Sequence, residues 1–288
     1  MTDMTAIAPA RIRLARISPG RVLGFVILAL GAWVVVVPYI WMISSSLKPT
    51  DEVYDADFTI WPRTFAGVQN YWDVLVGQPY PTFLLNSLIV CGGILAAQLV
   101  TAIPAAYALA KLRFRGQTIL LGTVVACLTI PINVTSIPLY LGVVKAGLLD
   151  TYLSMMLPFL VSVFAIFLFR QFFLTIPDEL MEAARIDGAG PMKFFRDILL
   201  PLSRTNIAAL FVILFIYGWN QYLWPILVTT DADFYTIVAG IKRMADVVDS
   251  EPLWNFIMAT AVLAMLPPVL VVIFMQRLFV KGLVETEK

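Results

Sequence analysis

The sequence predicts an all-α membrane protein of six transmembrane helices with both termini in the cytoplasm, and three observations carry that prediction. The chain of 288 residues is 60% hydrophobic and only 14% charged, with a mean hydropathy of +0.86, whereas soluble domains carry charge on about a quarter of their residues. Its apolar residues gather into six runs, each long enough for a bilayer core that takes roughly 20 helical residues. The lysines and arginines between those runs fall mostly on one side of the membrane, as basic connections retained in the cytoplasm do. Composition also excludes several classes. A net charge of +1 and the lack of any long lysine-arginine cluster argue against a nucleic-acid partner. There is no histidine, the commonest general base and metal ligand, and no Gly-x-x-x-x-Gly-Lys-Ser/Thr phosphate loop, so any ATP chemistry belongs to another chain. Cys91 and Cys127 both lie in apolar runs and read as small core thiols rather than a disulfide.

Taken in order, residues 1–21 bring Arg11, Arg13, Arg16 and Arg21 ahead of the first run. That order resembles a signal peptide, but the run 22–43 is too long and no small-x-small cleavage site follows, so it is an uncleaved span. Further spans are expected at 83–110, 118–141, 152–173, 207–228 and 253–279, followed by a tail at 280–288. An inside N-terminus places the four arginines with Lys111, Arg113, Arg115, Arg170, Arg185, Lys193, Arg196, Arg204, Arg277, Lys281 and Lys288 in the cytoplasm. Only Lys48, Arg63, Lys145, Lys242 and Arg243 remain outside. The outer connections, 44–82 and 229–252, read as loops in which Trp61, Tyr71, Trp72 and Tyr80 anchor at the bilayer interface. The spans hold no Asp, Glu, Lys or Arg away from their ends, which argues against an ion or proton relay. They hold neutral polarity instead. Gln98 and Thr101 suit interhelical hydrogen bonds, while Asn86, Asn133, Trp219, Asn220 and Gln221 are candidates for lining a solute path. Pro131, Pro138, Pro158, Pro267 and Pro268 are expected to kink their helices, which is tolerated where neighbours or a cavity satisfy the freed backbone groups.

The connection 174–206 is polar and reads as two short helices around a tight turn. Thr175 can cap the first helix, Pro177 suits its opening turn, and Asp178 and Glu179 complement the positive end of its dipole. Gly188 ends that helix in the left-handed conformation, and Gly190-Pro191 starts a second one that Pro201 closes. Ala183 and Ala184 give the first helix a nearly flat face for another protein's backbone, and Glu182 adds one charge to set the register. The plainer alternative is a connector whose charges merely keep it out of lipid.

The pattern Glu182-Ala183-Ala184, three residues, Gly188, nine residues, Ile198-x-Leu200-Pro201 resembles the cytoplasmic coupling loop of the membrane subunits of ATP-binding-cassette importers. Asp187, Ala189 and Phe195 match that loop too, while Gly190 departs from it, since the sugar-importer branch usually has Ser there. Ser46-Leu47-Lys48-Pro49, Asn86-Ser87-Leu88 and Gly147-Leu148-Leu149-Asp150-Thr151-Tyr152 resemble the maltose-type branch. The last 120 residues or so, including 217–225 and 276–285, are most similar to the sn-glycerol-3-phosphate branch. The resemblance implies a permease subunit in a bacterial cytoplasmic (inner) membrane, with no cofactor of its own. It would pair with a second permease subunit, two ATPase subunits that bind ATP and Mg, and an external solute-binding protein. It further implies that the coupling loop sits in a groove of an ATPase, and that the solute is sn-glycerol-3-phosphate or a related glycerophosphodiester, an oligosaccharide or other sugar being the alternative. A stand-alone secondary carrier would need buried charges and no such loop, and a membrane enzyme would need catalytic groups that the spans lack.

Overall fold

The structure is a computed structural model that describes residues 19–55, 57, 59–247 and 251–285, the side chains of 19, 21, 132, 133 and 277–285 aside. Arg11, Arg13, Arg16 and Lys288, which entered the orientation argument, lie outside the described residues. All regular structure among the described residues is helical. Helix α1 (Pro19–Ser46) is apolar around its whole circumference, as a helix surrounded by lipid or by other helices must be. It leads to α2 (Thr50–Val53) and α3 (Gly67–Val76), both within a connection expected to be loop. What orders that connection is not local pattern but a buried amide. Asn70 donates to the Ser46 and Lys48 carbonyls at 2.9 and 2.8 Å and accepts from Asn255 at 3.1 Å.

Helix α4 (Tyr80–Lys111) is the centre of the molecule, unbroken through Pro104. The expected third span is in fact two helices, α5 (Gln117–Leu128) and α6 (Ile132–Lys145). Pro131 stands between them with extended backbone, φ −66° and ψ 128°; it has no N–H to continue the ladder and its ring disfavours helix in the residue before it. The fourth span is bent. Helix α7 (Tyr152–Met156) runs into a tight turn at Leu157–Phe159 that holds Pro158, and α8 (Val163–Thr175) leaves at 43° to it. Ser162 accepts the Ala165 N–H at 3.1 Å and so caps α8.

After α9 (Asp178–Ile186) come α10 (Pro191–Phe194), a π turn at Phe195–Leu199 and α11 (Leu200–Leu202), which meets α12 (Arg204–Trp219) at 75°. The expected fifth span is also divided, because α12 stops at Trp219 and α13 (Leu223–Val228) begins after three residues. Helix α14 (Ile237–Ala245) lies in the second outer connection, and α15 (Trp254–Glu285) continues through Pro267 and Pro268 without interruption. Among the described residues, three helices are long and apolar enough to cross a membrane, or up to five if each bent pair is one span.

Helix α4 packs against α8 and α12, and α15 packs against α1 and α12. The common core joins Ile103 and Tyr107 of α4, Phe169 and Phe173 of α8, and Leu214 and Trp219 of α12. At one end, Asp150 closes the connection between α6 and α7 onto the end of α13. Its carboxylate accepts the N–H groups of Thr230 and Asp231 at 2.6 and 3.0 Å and the Thr230 hydroxyl at 2.7 Å. Those donors, led by the Asp231 N–H, hold the carboxyl below the usual carboxylate range.

Candidate functional site

The loop after α8 is built around Gly188, whose φ is +79°. The Ala189 N–H bonds the Ala184 carbonyl at 2.8 Å and the Gly188 N–H bonds the Arg185 carbonyl at 3.0 Å. That pair of bonds is the Schellman closure of α9, and it requires a left-handed residue where Gly188 stands. No heavy atom lies within 4 Å of a Cβ placed there, so the glycine is demanded by backbone conformation and not by crowding. Pro191 opens the second helix as expected. Pro201 does not close it, since the turn runs to Leu202 and Ser203 ends it. Thr175 is not the cap of α9 either. Its hydroxyl turns back to the Phe172 carbonyl at 2.7 Å, and the residue ahead of α9 is Pro177.

The expected flat face is split. Ala184 is 5% exposed and belongs to the same buried core as Tyr107 and Phe194, whereas Glu182 and Ala183 face outward. A small residue at 184 therefore lets α9 lie close on its own membrane domain. The most exposed large apolar side chains of the loop are Ile186 and Met192, 87% and 73% exposed on either side of the Gly188 turn. Sequence reading passed over both, although single apolar residues in a charged, solvent-facing stretch were a signal for a docking surface. Asp187 and Gly188 are exposed and Ala189 is half-buried in the turn; Phe195, Ile198 and Leu200 pack inward, and Pro201 is exposed. The Phe195 ring lies 5.0 Å from that of Tyr107, tilted by 31°, and the Tyr107 hydroxyl donates to the Pro191 carbonyl at 2.9 Å.

A second tie was not anticipated. Lys111, at the end of α4, has a side chain only 3% exposed and pairs with Asp178 at 2.6 Å while donating to the Ile176 carbonyl at 2.5 Å. Asp178 itself is 71% exposed. The hydrogen bond and charge of Lys111 hold the Asp178 carboxyl below the usual carboxylate range. A depressed folded value means that the tie is fully present above the unfolded carboxylate pKa of about 4 and is lost as pH falls through the folded value. Protection of the α9 amides against hydrogen exchange should therefore hold from pH 8 to 5 and decline below about pH 4. In Asp178→Ala it should already be reduced at pH 7 and show no further loss on acidification; equal protection in the two proteins at pH 7 would remove Lys111–Asp178 as an anchor.

The candidate path residues separate as sharply. Asn86 lines none of the cavities described here: at 1% exposure it donates to the Asp233 and Tyr235 carbonyls at 2.7 and 3.0 Å and accepts from the Tyr152 hydroxyl at 2.7 Å. It clamps the second outer connection onto α4. Trp219 is likewise a clamp, its Nε1 donating to the Ala264 carbonyl of α15 at 3.2 Å. Asn220 is exposed and its amide folds back on the Ile216 carbonyl at 2.9 Å. Gln221 does line a cavity, with Ser136, Pro158, Phe159 and Trp224. The Asn133 side chain lies outside the described residues. Pro158 and Phe159 are shared with a larger cavity of about 470 Å³ that reaches Gln98, Thr135, Ser162 and Tyr217. The two cavities share the wall at the Pro158 bend, and Ile130, beside the break at Pro131, lines the larger one.

Apolar helices of spanning length, a charged helix-turn-helix and cavities at broken helices together describe a polytopic membrane protein. Its fold matches, at a TM-score of 0.80 and 23% identity over 94% of this chain and 99% of the other, a chain of a bacterial ABC transporter involved in the import of the acidic polysaccharide alginate. Residues 98–285 match the model of the family described as binding-protein-dependent transport system inner membrane component, and the chain belongs to that family. Similar proteins include the sn-glycerol-3-phosphate transport system permease protein UgpE of Agrobacterium fabrum, 46% identical with 93% of this chain and 97% of the relative covered. The proteins of the same name from Brucella melitensis, 46% identical over 92% and 96%, and Yersinia pestis, 44% over 91% and 95%, are also similar.

Proposed function

We propose that this chain is one of two permease subunits of an ATP-driven importer for sn-glycerol-3-phosphate or a related glycerophosphodiester. The observation that carries the solute class is the identity of 46% to a glycerol-phosphate permease, spread over 93% of the chain rather than confined to the coupling loop. On this reading α5 with α6, α7 with α8, and α12 with α13 each make one broken span, completing six with α1, α4 and α15. Domain 22–279 spans the inner membrane, and residues 1–21, 174–206 and 280–288 face the cytoplasm. Breaks are tolerated because they line a cavity instead of lipid.

The exposed Ile186 and Met192, beside outward Glu182 and Ala183, support docking of the coupling loop into an ATPase subunit that binds ATP and Mg. Loop motion would then reach the path through Tyr107, which joins α4 to Pro191 and Phe195. A second permease subunit, a second ATPase and an external binding protein complete the assembly; the spans of this chain supply no chemistry and no ion relay. A sugar is the competing solute, favoured by one observation: among the described residues, no charged one lines the 470 Å³ cavity.

The test is solute-stimulated ATPase activity in proteoliposomes holding the full importer and its binding protein. sn-Glycerol-3-phosphate or a glycerophosphodiester should stimulate, and stimulation by maltose alone would overturn the solute assignment. In the same assay Gln221→Leu should reduce transport about fivefold, the scale of one hydrogen bond, with Asn220→Leu close to wild type. Equal loss in both variants would contradict the separation of their side chains.

A further inference from the structure

Resting on the permease reading, we propose that Gln98 is a solute-contact residue whose Oε1 accepts a hydrogen bond from a hydroxyl of the translocated molecule. Gln98 lies midway along α4, is 2% exposed, and lines the 470 Å³ cavity. Its Nε2 donates to the Phe159 carbonyl at 2.8 Å. That bond orients the amide, because reversing it would set two carbonyl oxygens against each other. Oε1 is then left buried with no hydrogen-bond partner among the described residues. A buried amide oxygen without a partner is costly, and Gln98 lines a cavity with ample room for a partner that reaches Oε1 when the path opens.

The chemistry of the ligand follows from what the cavity offers. Oε1 is acceptor-only and demands a donor. Tyr217 and Ser162 also line the walls, and among the described residues no Asp, Glu, Lys or Arg does. Ionised phosphate oxygens are acceptors, would face Oε1 with like polarity, and would find no cation here. A polyol end, with hydroxyls that donate and accept, fits on both counts. For a glycerol phosphate, the cavity therefore holds the glycerol moiety and the phosphate lies elsewhere. The position is also suited to sensing: Phe159 is the last residue before the bend into α8, so one side of the Gln98 amide holds the bend while the other holds solute.

The test uses the complete importer with its ATPase and its binding protein in proteoliposomes, comparing sn-glycerol-3-phosphate with 3-hydroxypropyl phosphate, which has the same chain and phosphate but lacks the C2 hydroxyl. The readout is the ratio of the two uptake rates at saturating loaded binding protein. The binding protein's own preference is common to every variant and cancels when ratios are compared. Gln98→Met should lower the ratio about fivefold, one hydrogen bond's share. Thr101→Val removes a neighbouring bond to the Leu160 carbonyl, 3.4 Å long, on the same bend; it should leave the ratio unchanged even if both rates fall. Gln98→Leu serves if Gln98→Met does not assemble. A ratio unaltered by loss of the Gln98 amide, with both rates falling together, would show that Gln98 only supports the bend and would overturn the proposal. If neither phosphate stimulates the wild type, the glycerol-phosphate reading has failed, and the Gln98 assignment is then decided by the same ratio measured with maltose and a monodeoxymaltose.

Discussion

In Gly188→Val, ATP-driven uptake should fall to less than a tenth of the wild-type rate while the protein stays in the membrane at normal abundance. The argument is confined to backbone. At φ +79° an L-residue pays about 1–2 kcal/mol, and a β-branched side chain, stiff at χ1, pays more. The Cβ itself would meet nothing, so the cost cannot be relieved by repacking neighbours. It is relieved by leaving the left-handed region, which breaks the bonds from Ala189 to Ala184 and from Gly188 to Arg185. Ile186 and Met192 then lose their fixed separation. Gly188→Ala should be intermediate, and Gly188→Asn, which tolerates this conformation best among the larger residues, should retain most activity. Uptake and membrane abundance measured together decide the matter: wild-type uptake by the Val variant would exclude the turn from coupling, and equal losses in Val and Asn would point to the surface of the turn instead of its conformation.

The second large effect concerns folding. Asn86→Leu leaves the Asp233 and Tyr235 carbonyls and the Tyr152 hydroxyl without their partner. The three partners are part-buried, so each lost bond costs about 1 kcal/mol and the loss is about 3 kcal/mol, a large fraction of a net stability of about 5–15 kcal/mol. Asn86→Asp keeps the shape but cannot donate to either carbonyl and should be at least as severe. Thermal unfolding of the detergent-solubilised complex should show a clear drop in midpoint for both variants, with solute preference unchanged in whatever fraction remains folded. An undiminished midpoint with selectively impaired uptake would return Asn86 to the solute path.

The motif from Glu182 to Pro201 was legible because its determinants are local. A helix closed by a left-handed glycine needs only Gly188 and the carbonyls of the preceding turn, and proline at a helix start needs only its own fixed φ. What was not legible is where each side chain points once the helix is docked. Ala183 and Ala184 are adjacent and chemically identical, yet one faces out and the other is buried in the core that includes Tyr107 and Phe194. The polar span residues illustrate the same limit. An asparagine in an apolar run signals a partner, but Asn86 finds backbone carbonyls some 150 positions away in sequence, while Gln221 finds a cavity. Lys111 read as one more cytoplasmic charge, and only the approach of α9 gave it a carboxylate and took it out of water.

By itself, then, the sequence determined the solvent, the class and the turn at Gly188: apolar run lengths against bilayer thickness and a glycine-dependent turn are properties of short stretches that no packing can reverse. The tertiary structure alone decided where the spans break and which polar groups stay free. A proline or a polar side chain in an apolar run is costly until something satisfies the groups that it exposes, and in this chain Pro131 and Pro158 interrupt their helices at a cavity, whereas Pro104, Pro267 and Pro268 lie within continuous ones. Whether such a residue becomes a kink, a clamp or a contact for solute depends on which distant helix arrives beside it, and that is settled by packing around α4.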